Sequence, residues 1–194
     1  MAVAQVSGRR ARGRRRLSAA APLRVVLAGP ECTGKSTLTA HLARRFGAPA
    51  APEYARLYLE ARGPAYDYEL LRDLARQHLA WQRERVPESA PQGVFDTDLI
   101  NYKIWCEVVF GRCHGEILAA LDREANHVYL LCAPDLPWEP DPLRENPHDR
   151  PALFERHRSE IERLGRPYVV VAGRGAARLR CAEAGFRKLA GAAE

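Results

Sequence analysis

The sequence predicts an α/β fold of the P-loop class, a parallel five-stranded sheet flanked by helices with a lid segment. Three observations carry this prediction. Short apolar runs alternate with stretches of helical periodicity from residue 23 onward. The first apolar run leads directly into Gly29-Pro30-Glu31-Cys32-Thr33-Gly34-Lys35-Ser36, a match to G-x-x-x-x-G-K-[ST]. Late in the chain, residues 134–150 read PDLPWEPDPLRENPHDR, five prolines among acids and arginines with neither helical nor strand periodicity.

The elements follow in order. Leu23-Arg-Val-Val-Leu-Ala28 is a buried-strand pattern. After the glycine turn, Leu38, Leu42 and Phe46 recur every four residues on one helix face, and Gly47 is placed to cap its C-terminus. Residues 48–52 form a weak second strand ending before Glu53. Asp67 can cap a helix running to about Arg85, with Leu70, Leu71, Leu74, His78 and Trp81 on its apolar side and His78 as a core histidine. Val94-Phe95-Asp96 is a third strand, and a helix starts near Asp98 with Ile100, Ile104 and Val108 on one face. A short helix over 115–124, a fourth strand His127–Cys132, a helix over 151–163, a fifth strand Pro167–Ala172 and a last helix marked by Leu179, Ala182, Phe186 and Leu189 complete the series. Strands alternating with helices imply a parallel sheet covered on both faces. A linker at 134–150 would separate the fourth strand from the fifth, so this stretch belongs inside one domain spanning residues 23–194.

Composition narrows the functional classes. The formal net charge is +6, but residues 1–22 hold six arginines (Arg9, Arg10, Arg12, Arg14, Arg15 and Arg16) and no acid, so the remainder is electrically balanced. That distribution argues for a disordered tail on a neutral body and against a nucleic-acid-binding face, beyond a weak tail contact. No apolar run is long enough to span a membrane, and no apolar stretch gives the tail the character of a secretion signal. Five cysteines without a C-x-x-C pair point to reduced thiols and a cytoplasmic setting. Oligomeric state is open from sequence.

The P-loop motif stands between a strand and a helix, the context in which its chemistry works. Glycines let the backbone wrap around phosphates, and the amides of residues 31–36 converge at a helix N-terminus, where the dipole favours an anion. Residues 29–36 are therefore the expected ATP cradle, with Lys35 reaching the β- and γ-phosphates and Ser36 a ligand for Mg²⁺. Glu31 is electrostatically awkward beside a polyphosphate and is expected to point outward. Asp96, at the carboxyl end of an apolar strand, suits a role in holding Mg²⁺. Asp98 can cap the next helix or act in catalysis. Glu53 and Arg56 fall beyond the second strand, on the rim where open α/β sheets bind ligands. Glu53 can orient an acceptor hydroxyl and take its proton, or act as an acid at a helix start. The base is open among Glu53, Asp96 and Asp98. DxxG, NKxD and the protein-kinase signature are absent, which leaves a small-molecule kinase or a regulatory P-loop ATPase.

GPECTGKST, PEYAR, DTD with KIW close behind, PWEPDPLRENPHDR and GRPYVVV together resemble the ribosylnicotinamide kinase domain of NadR-type proteins, across about residues 23–190. The resemblance implies a P-loop nucleoside-kinase-like fold and ATP-dependent phosphorylation of nicotinamide riboside at its 5′-hydroxyl, giving nicotinamide mononucleotide. It assigns Gly34, Lys35, Ser36 and Thr37 to ATP phosphates and Mg²⁺. It puts Glu53, Tyr54, Arg56 and Asp98 on the nucleoside side, and makes 134–150 a lid with Trp138, Asp141, Arg144 and Arg150 in its pattern. Arg144 and Arg150 would close on phosphates, while Trp138 would stack on a flat base or anchor the lid. Cys32 stands where the family pattern has serine.

Overall fold

The computed structural model describes residues 22–124 and 126–191; the arginine-rich stretch read as a disordered tail lies outside the described residues. Its elements are β1 (Leu23–Ala28), α1 (Lys35–Phe46), β2 (Ala50–Ala51), α2 (Tyr54–Arg62), α3 (Tyr68–Arg85), β3 (Gln92–Asp96), α4 (Leu99–Phe110), α5 (Gly115–Arg123), β4 (His127–Cys132), α6 (Arg150–Arg163), β5 (Tyr168–Val171) and α7 (Gly175–Gly191). All five strands pair in parallel, in the order β2-β3-β1-β4-β5.

That order makes β1 the centre of the sheet. The chain builds outward through β3 and β2 on one side, then crosses to β4 and β5 on the other. The loop after β1 therefore sits at the topological switch point, where the connections diverge and leave a crevice at the strand carboxyl ends. Alternation along the strands divides the core in two. Val25, Leu27, Val94, Val128 and Leu130 face α1 and α7, through Leu38, Leu42, Ala182, Phe186 and Leu189. Val26, Phe95, Tyr129 and Leu131 face the other layer, through Leu71, Leu74, Leu99, Ile100, Ile117 and Ile161.

Asp67 caps α3 as its spacing predicts, accepting from the Leu70 amide at 2.8 Å. His78 is fully buried with its pKa lowered to about 4 by desolvation, so it is a neutral core residue. The sequence anticipates helix α2 only through Glu53 as an acid at a helix start, and its nine residues bury only Ala55 and Leu59. Phe46 is half-buried and stacks on Phe186 with ring centroids 4.1 Å apart, which locks α1 to α7 behind the sheet. Phe186→Ala, deleting a buried ring from that layer, is expected to lower stability by about 3–5 kcal/mol, measured by urea denaturation.

Candidate active site

Three features shape the loop after β1. Gly29 has φ 132°, and an added Cβ would lie 2.7 Å from the carbonyl oxygen of Cys132, so only glycine lets β1 and β4 approach this closely. Gly34 has φ 74° in the left-handed region and starts α1 without any side-chain cap. The Thr33 hydroxyl donates to the Pro30 carbonyl at 2.9 Å. The first-turn amides of α1 thus carry no side-chain acceptor, the arrangement an anion can complete. Lys35 extends back across the loop and donates to the carbonyls of Gly29 and Pro30 at 2.9 and 2.8 Å.

The loop forms one end of a cavity of about 400 Å³. Of the residues selected from sequence, Gly29 through Thr37, Glu53, Arg56 and Arg144 line it. Glu53 stands at the N-cap position of α2 but makes no capping bond, which leaves its carboxylate free of the helix. Burial, reinforced by the nearby Asp96, pushes the Glu53 pKa up to about 7, with Lys35 and Arg56 acting in the opposite sense. Asp96 does not line the cavity. It is 1% exposed at the end of β3, with Oδ1 buried and unpartnered. Burial raises its pKa, while Lys35 and the neighbouring Ser36 hydroxyl favour the ionised form. A hydroxyl and a carboxylate oxygen with spare acceptor capacity form a donor set that suits Mg²⁺.

Asp98 is placed elsewhere, contrary to the substrate-side role expected of it. Thr97 adopts φ 69°, a left-handed conformation costing a non-glycine residue about 1–3 kcal/mol. Asp98 is 1% exposed, caps α4 by accepting from the Ile100 amide at 3.0 Å, and accepts through Oδ2 from the Tyr129 hydroxyl at 2.5 Å and His127 Nδ1 at 3.2 Å. The Arg166 guanidinium lies 3.9 Å away, and these partners hold the Asp98 carboxyl below its usual range against burial. Glu124 completes this group, its ligand atom within 4.8 Å of those of Asp98 and His127. The Tyr129 hydroxyl and Arg166 thus pair Asp98 within the protein, while both Glu124 carboxylate oxygens are buried without a hydrogen-bond partner and burial pushes the Glu124 pKa up to about 7.

The segment between β4 and α6 lines the cavity, among others through Leu136, Glu139, Leu143 and Asn146, and is tied to the loop after β1. The Glu31 carboxylate accepts from the amides of Glu145 and Asn146 at 3.2–3.3 Å, and Cys32 Sγ accepts from the Glu139 amide at 3.4 Å. The awkward acid of the loop thus faces backbone donors. Asp141 accepts from Arg56 at 2.7 Å instead of lining the cavity. Arg144 lines the cavity and donates to the Glu139 carbonyl. Arg150 does not line it, because it donates to the Leu136 carbonyl at 2.8 Å and sits 5.8 Å from the Trp138 ring centroid. Trp138 therefore packs with the segment's own arginine, outside the lining. Tyr54 also lies outside, packed on Tyr58 and Trp81 and donating to Gln77.

The aromatic lining comes from residues not selected from sequence. Tyr66 meets Trp105 edge-on with centroids 4.7 Å apart, and both line the cavity with Asn101, Glu139 and Glu145. Trp105 belongs to the KIW tripeptide, so a signal was present, although its helical register could be read only with α4 in place. Nothing in the sequence marks Tyr66, which precedes α3 in an irregular segment.

A glycine-shaped phosphate loop at the switch point of a 2-3-1-4-5 parallel sheet defines a P-loop nucleotide-binding protein. A family model described as an AAA domain matches residues 24–178, and the chain belongs to that family. The trifunctional NAD biosynthesis/regulator proteins NadR of Salmonella typhimurium and Escherichia coli are each 30% identical to it over 124 residues, 62% of this chain and 30% of theirs. The chain therefore matches less than a third of the length of these curated relatives. Among solved structures, NadR protein in complex with NR superposes with a TM-score of 0.67 at 19% identity, covering 88% of this chain and 51% of that one. NadR protein with NAD and AMP-PNP gives 0.64 at 20% identity, covering 88% and 50%. These two likenesses show the shared fold.

If Asp98 serves the polar core, Asp98→Ala strands Arg166 without its carboxylate. The variant is expected to lose about 3–5 kcal/mol of stability while folded protein keeps its ATP affinity, checked by denaturation and by calorimetric titration in the cold.

Proposed function

We propose that this protein is an ATP-dependent small-molecule kinase that phosphorylates the 5′-hydroxyl of nicotinamide riboside, yielding nicotinamide mononucleotide and ADP. The observation that carries the reading is the composition of one cavity: a phosphate loop at one end, a raised-pKa carboxylate at Glu53, and the Tyr66–Trp105 pair among acidic residues. A pyridinium base is flat and cationic, so it gains both from aromatic faces and from Glu31, Glu139 and Glu145 nearby. The names of the curated relatives, in NAD biosynthesis, and the solved neighbour holding NR support the same choice.

In this mechanism the amides of residues 31–36 and the Lys35 ammonium bind the β- and γ-phosphates. Ser36 and Asp96 would hold Mg²⁺, which supplies charge neutralisation on those phosphates. Glu53 accepts the proton of the acceptor hydroxyl as its oxygen bonds to the γ-phosphorus and the bond to the ADP oxygen breaks. Arg56 and Arg144, both on the lining, offset negative charge near the transferring group. The segment 134–150 acts as the lid, held to the loop through Glu31 and Cys32, and it excludes water that would otherwise take the phosphoryl group.

Lys35→Ala is expected to abolish turnover while circular dichroism and melting temperature stay near those of the parent protein. Rapid ATP consumption should require added nicotinamide riboside; slow hydrolysis indifferent to any nucleoside would instead indicate a regulatory ATPase. Because a base must be ionised to accept a proton and burial holds the Glu53 pKa near 7, kcat should climb as pH rises through about 7. Glu53→Gln should remove that limb and lower kcat roughly 10²–10⁴-fold, read from pH–rate profiles.

A further inference from the structure

The last helix reaches under the phosphate loop with one side chain. Arg178, on α7, is 4% exposed. Its Nε and Nη2 both donate to the Thr33 carbonyl, at 3.1 and 2.7 Å. Nη2 also donates to the Ala133 carbonyl at 3.0 Å, and Nη1 donates to the Gly173 carbonyl at 3.1 Å and to Asp135 Oδ1 at 2.6 Å. The other Asp135 oxygen accepts from the Gly173 amide at 2.6 Å. One guanidinium thus joins the loops that follow β1, β4 and β5, the three that form this side of the crevice.

We propose that Arg178 is a positioning residue for nucleotide phosphates, holding the Thr33 carbonyl away from the cavity so that the following amides face the anion. This rests on the reading of residues 29–36 as the polyphosphate site. A peptide group has two ends, and a Thr33 carbonyl turned inward would present its negative end to a phosphate. Two donors on that single oxygen oppose such a turn. Arginine suits the task because its planar fork reaches several fixed carbonyls at once, and an ammonium on a flexible stem does not. The charge matters as well. Arg178 donates to the Ala133 carbonyl just past β4 and Lys35 to the Gly29 carbonyl just past β1, so both cations flank the loop; burial pushes the Cys132 thiol there up to about 12, with both cations acting in the opposite sense. Asp135 orients the guanidinium from the partly solvated side.

The test uses the full chain and calorimetric titration with two probes, Mg-ATP and magnesium tripolyphosphate, beside steady-state kinetics. Arg178→Met should weaken both probes roughly 10–100-fold and raise the KM for ATP, with little change in the KM for the nucleoside at saturating ATP. Arg178→Lys, which restores charge without the fork, should recover only part of the loss, and Asp135→Asn should weaken both probes by less than Arg178→Met. Folded variants that bind both probes like the parent protein, with only a lowered melting temperature, would show a purely structural arginine and overturn the proposal. If Arg178→Met does not fold, Arg178→Lys and Asp135→Asn decide, and unchanged probe affinity in both overturns it. Parent protein that bound neither probe would overturn the polyphosphate reading and this proposal together, whereas binding without nucleoside-dependent turnover would overturn only the kinase assignment.

Discussion

The close approach of β1 and β4 at their carboxyl ends governs the rest of the site. Gly29 leaves β1 where a Cβ would meet the Cys132 carbonyl oxygen at 2.7 Å, so the chain turns sharply with backbone facing backbone. From that turn the loop can fold over its own Lys35 and end in Gly34, whose left-handed conformation starts α1 with free amides. The proposed anion site is made of main chain, and such a site needs walls that fix main-chain direction. Arg178 provides one wall and the Thr33 hydroxyl another.

Two aspartates two residues apart show how a single strained peptide gives neighbouring carboxylates different surroundings. Asp96 ends β3 beside Ser36 and keeps an unpartnered oxygen. Thr97 takes a left-handed conformation, and Asp98 then enters the polar core with Tyr129, His127 and Arg166. One carboxylate retains capacity for a ligand and the other is saturated by the protein. A buried carboxylate with full hydrogen-bonding satisfaction stabilises structure, while one lacking it is costly unless something else completes it.

The strand and helix series was legible almost residue by residue where periodicity was strong, as for β1, β4 and the capped α3. It was thin at α2, where Glu53 marked a possible helix start and only Ala55 and Leu59 are buried. The phosphate loop was legible because its chemistry is local: glycine conformations and amide direction depend on neighbours in the chain. The opposite side of the cavity was legible only in part. Glu53, Arg56 and Arg144 reach it, but Trp138 and Arg150 pair with each other, and Asp141 takes Arg56 as its partner. Of the aromatic pair that does line it, Trp105 sits in the KIW tripeptide, whose register depends on α4, and Tyr66 carries no sequence signature.

By itself the sequence determined that this is a P-loop α/β protein, where the strands lie and which loop takes the glycine conformations of that motif, because those features follow from short-range sterics and from the burial of periodic apolar faces. Tertiary structure alone decided the strand order that centres β1, the division of labour between Asp96 and Asp98, and the capture of the Thr33 carbonyl by a residue 145 positions away. Such choices depend on which polar groups find partners once the layers pack. A buried charge is stable only where donors, acceptors and counter-charges from distant segments converge, and that convergence exists only in the folded chain.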